Sequence, residues 1–307
     1  MLNFNMVKHK IIELLNKIPY VNNLYHLNLK FQSNSCFPPG HYYSPIVSVE
    51  DLKKREAEIW NKKDQEKILG INLNTIEQLK LVKELAEYYD EMPFNNVRNK
   101  NRFYFDNDFY EYTDGIFLYS MMRHFKPEQI IEIGSGFSSA LMLDTNQLFF
   151  NNKINMTFIE PYTDRLHSLI TTDDTKSTTI IEKEVQSVPL NTFEKLNKGD
   201  ILFVDSTHVA KTGSDVNYIL FEILPRLNKG VLIHFHDIFY PFEYPKEWVF
   251  QGRNWNENYF LKSFLMYNNE FKIILFGDYL HKFQSEVFNK MSACLKNSGG
   301  NLWLEKL

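Results

Sequence analysis

Along the chain, the apolar residues change rhythm near residue 129. Before it they recur at helical spacing or gather in irregular aromatic stretches. Ile11, Leu14, Leu15 and Ile18 fall on one helical face. Ser48-Val49-Glu50-Asp51 and Thr75-Ile76-Glu77-Gln78 read as helix starts of the capping-box kind, in which a hydroxyl accepts from a backbone N–H three residues on. Between the first two helices lies CFPPGHYYSPIV (36–47), too rich in proline and aromatic rings for a plain linker. A second aromatic stretch, NRFYFDNDFYEY, falls within 93–114.

From Gln129 onward, short apolar runs alternate with helical patterns, as parallel βαβ units require. Strands are predicted at 129–134, 156–160, 179–185, 201–205, 230–237, 271–277 and 301–307. A helix is predicted over 138–150, and another from the cap Ser214 to about 224, closed by Pro225 and Gly230. Seven strands so spaced predict an α/β fold: a doubly wound, mostly parallel sheet over 111–307, preceded by a helical and irregular extension over 1–110 that builds an acceptor pocket or an oligomer contact.

Composition narrows the classes. The 26 Phe and 17 Tyr provide ample core material, and the net charge of −4 lacks the basic excess of a nucleic-acid binder. Cys36 and Cys294 form no CxxC pair, so two free thiols in a reducing compartment are expected. No apolar run approaches the ~18 residues needed to span a bilayer. The first residues lack the apolar core and cleavage site of a signal peptide, so a cytoplasmic protein is the default expectation. Nothing in the sequence requires or forbids a homo-oligomer.

Candidate chemistry gathers at the strand ends. The first strand closes as Glu132-Ile133-Gly134-Ser135-Gly136-Phe137-Ser138-Ser139, a glycine-rich turn that lets backbone approach a ligand. The second ends at Glu160, placed to accept from both hydroxyls of a ribose. Together these resemble the E/DxGxGxG signature of class I S-adenosylmethionine-dependent methyltransferases, with Ser138 where that family usually has its third glycine. GGNLWLEKL at the end is similar to the family's reversed seventh strand. The resemblance covers roughly 115–307. It implies a Rossmann-like methyltransferase fold and S-adenosylmethionine as cofactor, held by Glu132, Gly134, Ser135, Gly136, Ser138 and Glu160.

The fourth strand ends at Asp205 and the fifth at His236-Asp237. Ligands of open α/β sheets bind beyond these ends, and two carboxylates brought together there repel unless a proton or a cation lies between them. A divalent metal (Mg, Mn, Fe or Zn) held by Asp205, His236 and Asp237 is one solution, and the imidazole favours a transition metal. A metal-free arrangement, with Asp237 orienting His208 or His236, is the other. His234 alternates with His236 and reads as a core histidine. His208, just past the fourth strand, is a candidate base. The set resembles metal-dependent O-methyltransferases of the catechol and macrolide-sugar kinds, with His-Asp where those have Asp-Asn or Glu-Asp.

The acceptor is expected to be the hydroxyl of a small molecule or carbohydrate, with neither nucleic acid nor membrane as partner. Candidate contacts are His41 and Tyr43, and Arg253 and Trp255 between the fifth and sixth strands. The first pair lies in a stretch similar to a GHxYSP segment that precedes the methyltransferase domain in a bacterial subset of the family. Rival readings are a nicotinamide oxidoreductase, a metal hydrolase built on His-x-His-Asp, and a non-catalytic protein that binds S-adenosylhomocysteine.

Overall fold

The structure is a computed structural model that describes residues 7, 10–12, 14, 15, 17–61 and 65–307. It divides into two compact units, Met1–Asn61 and Lys62–Leu307. In the first, helix α1 (Pro19–Asn34) has no buried residue, and two short helices follow, α2 (Val49–Lys54) and α3 (Glu56–Trp60). Ser48 caps α2, its hydroxyl accepting from Asp51 N–H at 3.2 Å. Residues 11, 14 and 15 are helical, and these apolar side chains are exposed.

The second unit is built on one seven-stranded sheet: β1 (Gln129–Ile133), β2 (Asn155–Ile159), β3 (Thr179–Ile181), β4 (Ile201–Val204), β5 (Leu232–His236), β6 (Phe271–Phe276) and β7 (Asn301–Lys306). Its order is β3-β2-β1-β4-β5-β7-β6. β1 pairs in parallel with both β2 and β4, and β7 runs antiparallel between β5 and β6. β4 and β5 are buried along their whole length because helices cover both faces, which is why they read as unbroken apolar runs. The order reverses between β1 and β4, and there a crevice opens at the strands' C-terminal ends.

The boundary between units falls well before 110. The irregular stretch after residue 92 packs onto the sheet unit, burying Phe94, Phe103, Phe105 and Tyr110. Arg102 fastens it: the guanidinium reaches Asp144 on α6 (Phe137–Phe150) and Asp174 on α8 (Thr172–Ser177), each at 2.6 Å. Between those helices lies α7 (Asp164–Leu169).

Other differences have local causes. Helix α4 (Thr75–Leu85) starts from Asn74, in the left-handed region, because the Thr75 hydroxyl bonds Tyr279 at 2.8 Å instead of capping the helix. β3 stops at Ile181, at the sheet's edge. Ser214 does cap α9 (Asp215–Tyr218), but the following turns widen and then tighten before Leu227. The remaining helices are α5 (Tyr112–Phe125), α10 (Lys246–Phe250), α11 (Glu257–Leu265) and α12 (Gly277–Phe283).

Candidate active site

Two clefts open side by side at the switch point, and Asp205 lines both. The first has a volume of about 400 Å³ and is bounded by Gly134, Glu160, Tyr162, Gln186 and Asp205. Gly134 turns the chain at φ +82°, and a Cβ there would lie 1.8 Å from the Asp205 carbonyl oxygen. Only glycine lets the ends of β1 and β4 come this close. The Glu160 carboxylate accepts from Ser135 N–H at 3.1 Å and from Tyr162 N–H at 2.7 Å, which fixes it at the rim while leaving acceptor capacity free.

Glu132 stands apart from this lining. It is fully buried, and its oxygens accept from the hydroxyls of Ser138, at 2.6 Å, and Ser139. Ser139 Oγ in turn accepts from Gly136 N–H at 3.0 Å. A serine at position 138 therefore ties the strand to the first turn of α6, a bond no glycine could make. Burial pushes the Glu132 carboxyl up to about 8, against the lowering effect of the serine bonds.

The second cleft, of about 530 Å³, has carboxylates at its floor and aromatic rings at its walls. His208 sits between the two strand-end acids. Its Nε2 is 3.4 Å from Asp205 and 3.7 Å from Asp237, and its Nδ1 is 2.8 Å from Glu257. The loop is held by its backbone as well: His208 C=O accepts from the N–H groups of Asn256 and Glu257, and Ala210 N–H donates to the Asn256 side chain. Trp255 closes over the imidazole at a centroid distance of 4.4 Å. His208 and Asp237 both hold positive φ, +60° and +57°, a conformation that costs ~1–3 kcal/mol per residue and marks sites where position matters more than relaxation.

Charge follows from this geometry. Burial alone would keep the His208 ring neutral, but its bonds to Asp205 and Glu257 prevail and raise its pKa well above the ordinary imidazole value. Burial would raise the Asp205 carboxyl, but His236 and His208 hold it below the usual range, and its side chain is 36 % exposed toward the clefts. Asp237, more enclosed, is raised by burial despite the same histidines. His236 lines the cleft with Nε2 3.6 Å from Asp237, and its Nδ1 has no hydrogen-bond partner among the described residues. Burial tends to neutralise its ring, but Asp237, Asp205 and Asp114 raise it. His234 lies in the core, stacked on Phe203 at 4.1 Å, and burial holds it neutral.

A methyltransferase-domain family matches residues 131–238, from β1 through the end of β5. An uncharacterized protein of Archaeoglobus fulgidus is 37 % identical over 171 residues, covering 54 % of this chain and 76 % of that protein. The chain belongs to the class I S-adenosylmethionine-dependent methyltransferases. Solved structures resemble it more distantly. A Podospora anserina methyltransferase bound to S-adenosylhomocysteine is 16 % identical, covers 78 % of this chain and 99 % of that one, and has a TM-score of 0.41. An O-methyltransferase of Bacillus cereus is 14 % identical over 85 % of this chain and 100 % of that one, at a TM-score of 0.38. With this membership the nicotinamide and hydrolase readings fall.

The first cleft of this methyltransferase fits the family's cofactor. It joins a glycine turn with no room for a Cβ and a carboxylate at ribose position. The fit to a metal is different. The space between Asp205 and Asp237 already holds the His208 Nε2. Among the described residues no group of three or more His, Cys, Asp or Glu side chains is arranged to hold a metal ion, so Asp205, His236 and Asp237 as placed do not form a ligand set.

Residues that the sequence reading did not single out complete the methyltransferase's second cleft. Glu257 anchors His208. Asp114, at the start of α5, accepts from Gly300 N–H at 3.0 Å and Asn301 Nδ2 at 2.8 Å and so positions the turn before β7. Trp248 stacks under Arg253. Glu257 lies two residues past Trp255, in the same segment as the candidate acceptor contacts Arg253 and Trp255. His41 and Tyr43 lie in the first unit, where His41 stacks on Phe37 and Tyr43 is exposed.

Proposed function

We propose that this methyltransferase methylates a hydroxyl oxygen of a small molecule or carbohydrate lodged in the second cleft, with His208 taking the proton. The observation that carries the reading is the placement of His208: Nδ1 fixed on Glu257, Nε2 facing the cleft between Asp205 and Asp237, beside the cofactor cleft. When bound, S-adenosylmethionine supplies an electrophilic methyl carbon on a sulfonium leaving group. Glu160, Ser135 and the Gly134 turn are the residues suited to hold it.

The protein's own part is positioning and proton transfer. Neutral His208 accepts the hydroxyl proton at Nε2, and Asp205 and Asp237 stabilise the imidazolium that results. Glu257 fixes the tautomer by accepting a hydrogen bond from Nδ1–H, as a carboxylate behind a catalytic imidazole does. Trp255 shields the ring from bulk water. Most of the rate gain would come from holding the two reactants in line. No step is routed through a divalent metal, because among the described residues Asp205, His236 and Asp237 are not arranged as a ligand set.

The test is a screen of hydroxylated acceptors with labelled methyl donor, products read as methyl ethers by mass spectrometry, on the wild type and His208→Gln. The variant should lose turnover by ~10²–10⁴-fold and still bind S-adenosylhomocysteine in calorimetry. Unchanged turnover in the variant, or a methyl group found on nitrogen or carbon, would contradict the reading.

A further inference from the structure

Arg253 is an exposed cation in the lining of an acidic cleft. Its guanidinium lies over Trp248 at 4.1 Å and Trp255 at 5.0 Å. Among the described residues it forms no ion pair, although Asp108, Glu111, Asp114, Asp205 and Asp237 all line the same cleft. Four of those acids are engaged elsewhere: Asp205 and Asp237 by His208, Asp114 by the Gly300 turn, Glu111 by Asn297. Arg165, across the cleft on Phe109, differs, because its charge acts on Asp205. A guanidinium pinned on two indole rings has already lost much of its side-chain freedom, and it offers a fork of donors that suits a planar anion.

We infer that the acceptor is an organic acid, a hydroxyl compound that also carries a carboxylate or phosphate, and that Arg253 receives the anionic group. The assignment rests on the second cleft being the acceptor site. The carboxylates repel the anion and Arg253 attracts it, which sets how an acceptor of this kind lies in the cleft. Trp255 touches both the His208 ring, at 4.4 Å, and the Arg253 guanidinium, at 5.0 Å, so an anion on Arg253 leaves the hydroxyl of the same small molecule within reach of His208. The cleft volume of about 530 Å³ suits one small molecule of this class. Trp248 and Trp255 would flank its apolar or sugar body.

The test separates binding from chemistry. Protein loaded with S-adenosylhomocysteine is titrated calorimetrically with two matched pairs: 3,4-dihydroxybenzoate against 3,4-dihydroxybenzamide, and galacturonate against galactose. In at least one pair the acid should bind tenfold or more tighter than its neutral partner. The ratio should collapse toward one in Arg253→Gln and fall partly in Arg253→Lys, which keeps the charge but loses the fork. Acids that bind no tighter than their neutral partners in both pairs would overturn the inference, as would a preference that survives Arg253→Gln. Methyl ether formation is scored separately. An Arg253-dependent preference without methyl transfer supports the anion site and sinks the O-methylation reading, whereas methyl transfer without charge preference does the reverse.

Discussion

The two clefts share Asp205, yet they are built in opposite ways. The cofactor cleft is mostly backbone: a glycine turn, the end of β2 and one carboxylate fixed by two N–H groups. The second cleft is assembled from side chains of α5, α7 and α10, the loops after β4, β5 and α10, and the turn before β7. The first depends on local conformation and tolerates little change at its turn. The second depends on partners far apart in sequence, and each can be altered with the fold intact. The difference teaches where a shared cofactor ends and an individual substrate begins.

The sharpest way to break the comparison is Gly134→Ala. The added Cβ collides with the Asp205 carbonyl in a left-handed conformation, so stability should fall by ~3 kcal/mol and affinity for S-adenosylhomocysteine by ~100-fold or more. Urea unfolding and calorimetry read both. A variant with native affinity would show that the close approach is unnecessary. Glu257→Gln attacks the second cleft alone. Turnover should drop ~10–100-fold with adenosylhomocysteine affinity unchanged, a split that steady-state kinetics beside calorimetry detects. Equal losses in both would mean that Glu257 supports the fold rather than the imidazole. The smallest expected effect is chelation: dialysis against EDTA should leave turnover within about twofold, since among the described residues no group of acids and histidines is arranged to hold a metal. A loss restored by Mg²⁺ or Mn²⁺ would show that Asp205, His236 and Asp237 regroup around a cation.

Legibility in the sequence followed the same divide. The strands, their alternation with helices, and the turn at Gly134–Gly136 were readable because burial on both faces and a glycine-specific φ leave marks on neighbouring positions. The helix cap at Ser48 was readable because its partner, the Asp51 N–H, lies three residues away. Thr75 misled because its hydroxyl found Tyr279, a partner far along the chain. Asp205, His208 and Asp237 were readable as strand-end groups. Their common centre, with His208 itself as the bridging group, was not, because it depends on loop conformations at φ +60° and +57°. Glu257 and Asp114 were missed outright, since a carboxylate engaged by a distant imidazole or backbone turn looks like any surface acid in sequence.

The central claim is that His208, raised by Asp205 and Glu257, is the proton acceptor. Raised in the folded state, its protonated form stabilises the protein fully below pH 6.5, and this contribution fades as pH climbs through the folded pKa. The neutral base appears over that same range. The most direct measurement is the pH dependence of kcat/KM with a saturating methyl donor. It should rise with a single-proton limb whose midpoint lies above 6.5, and His208→Gln should erase that limb; thermal stability should decline over the same window, less steeply in the variant, where the raised Glu132 and His236 still contribute. A flat profile from pH 6 to 9, or a limb unchanged in the variant, would contradict the account.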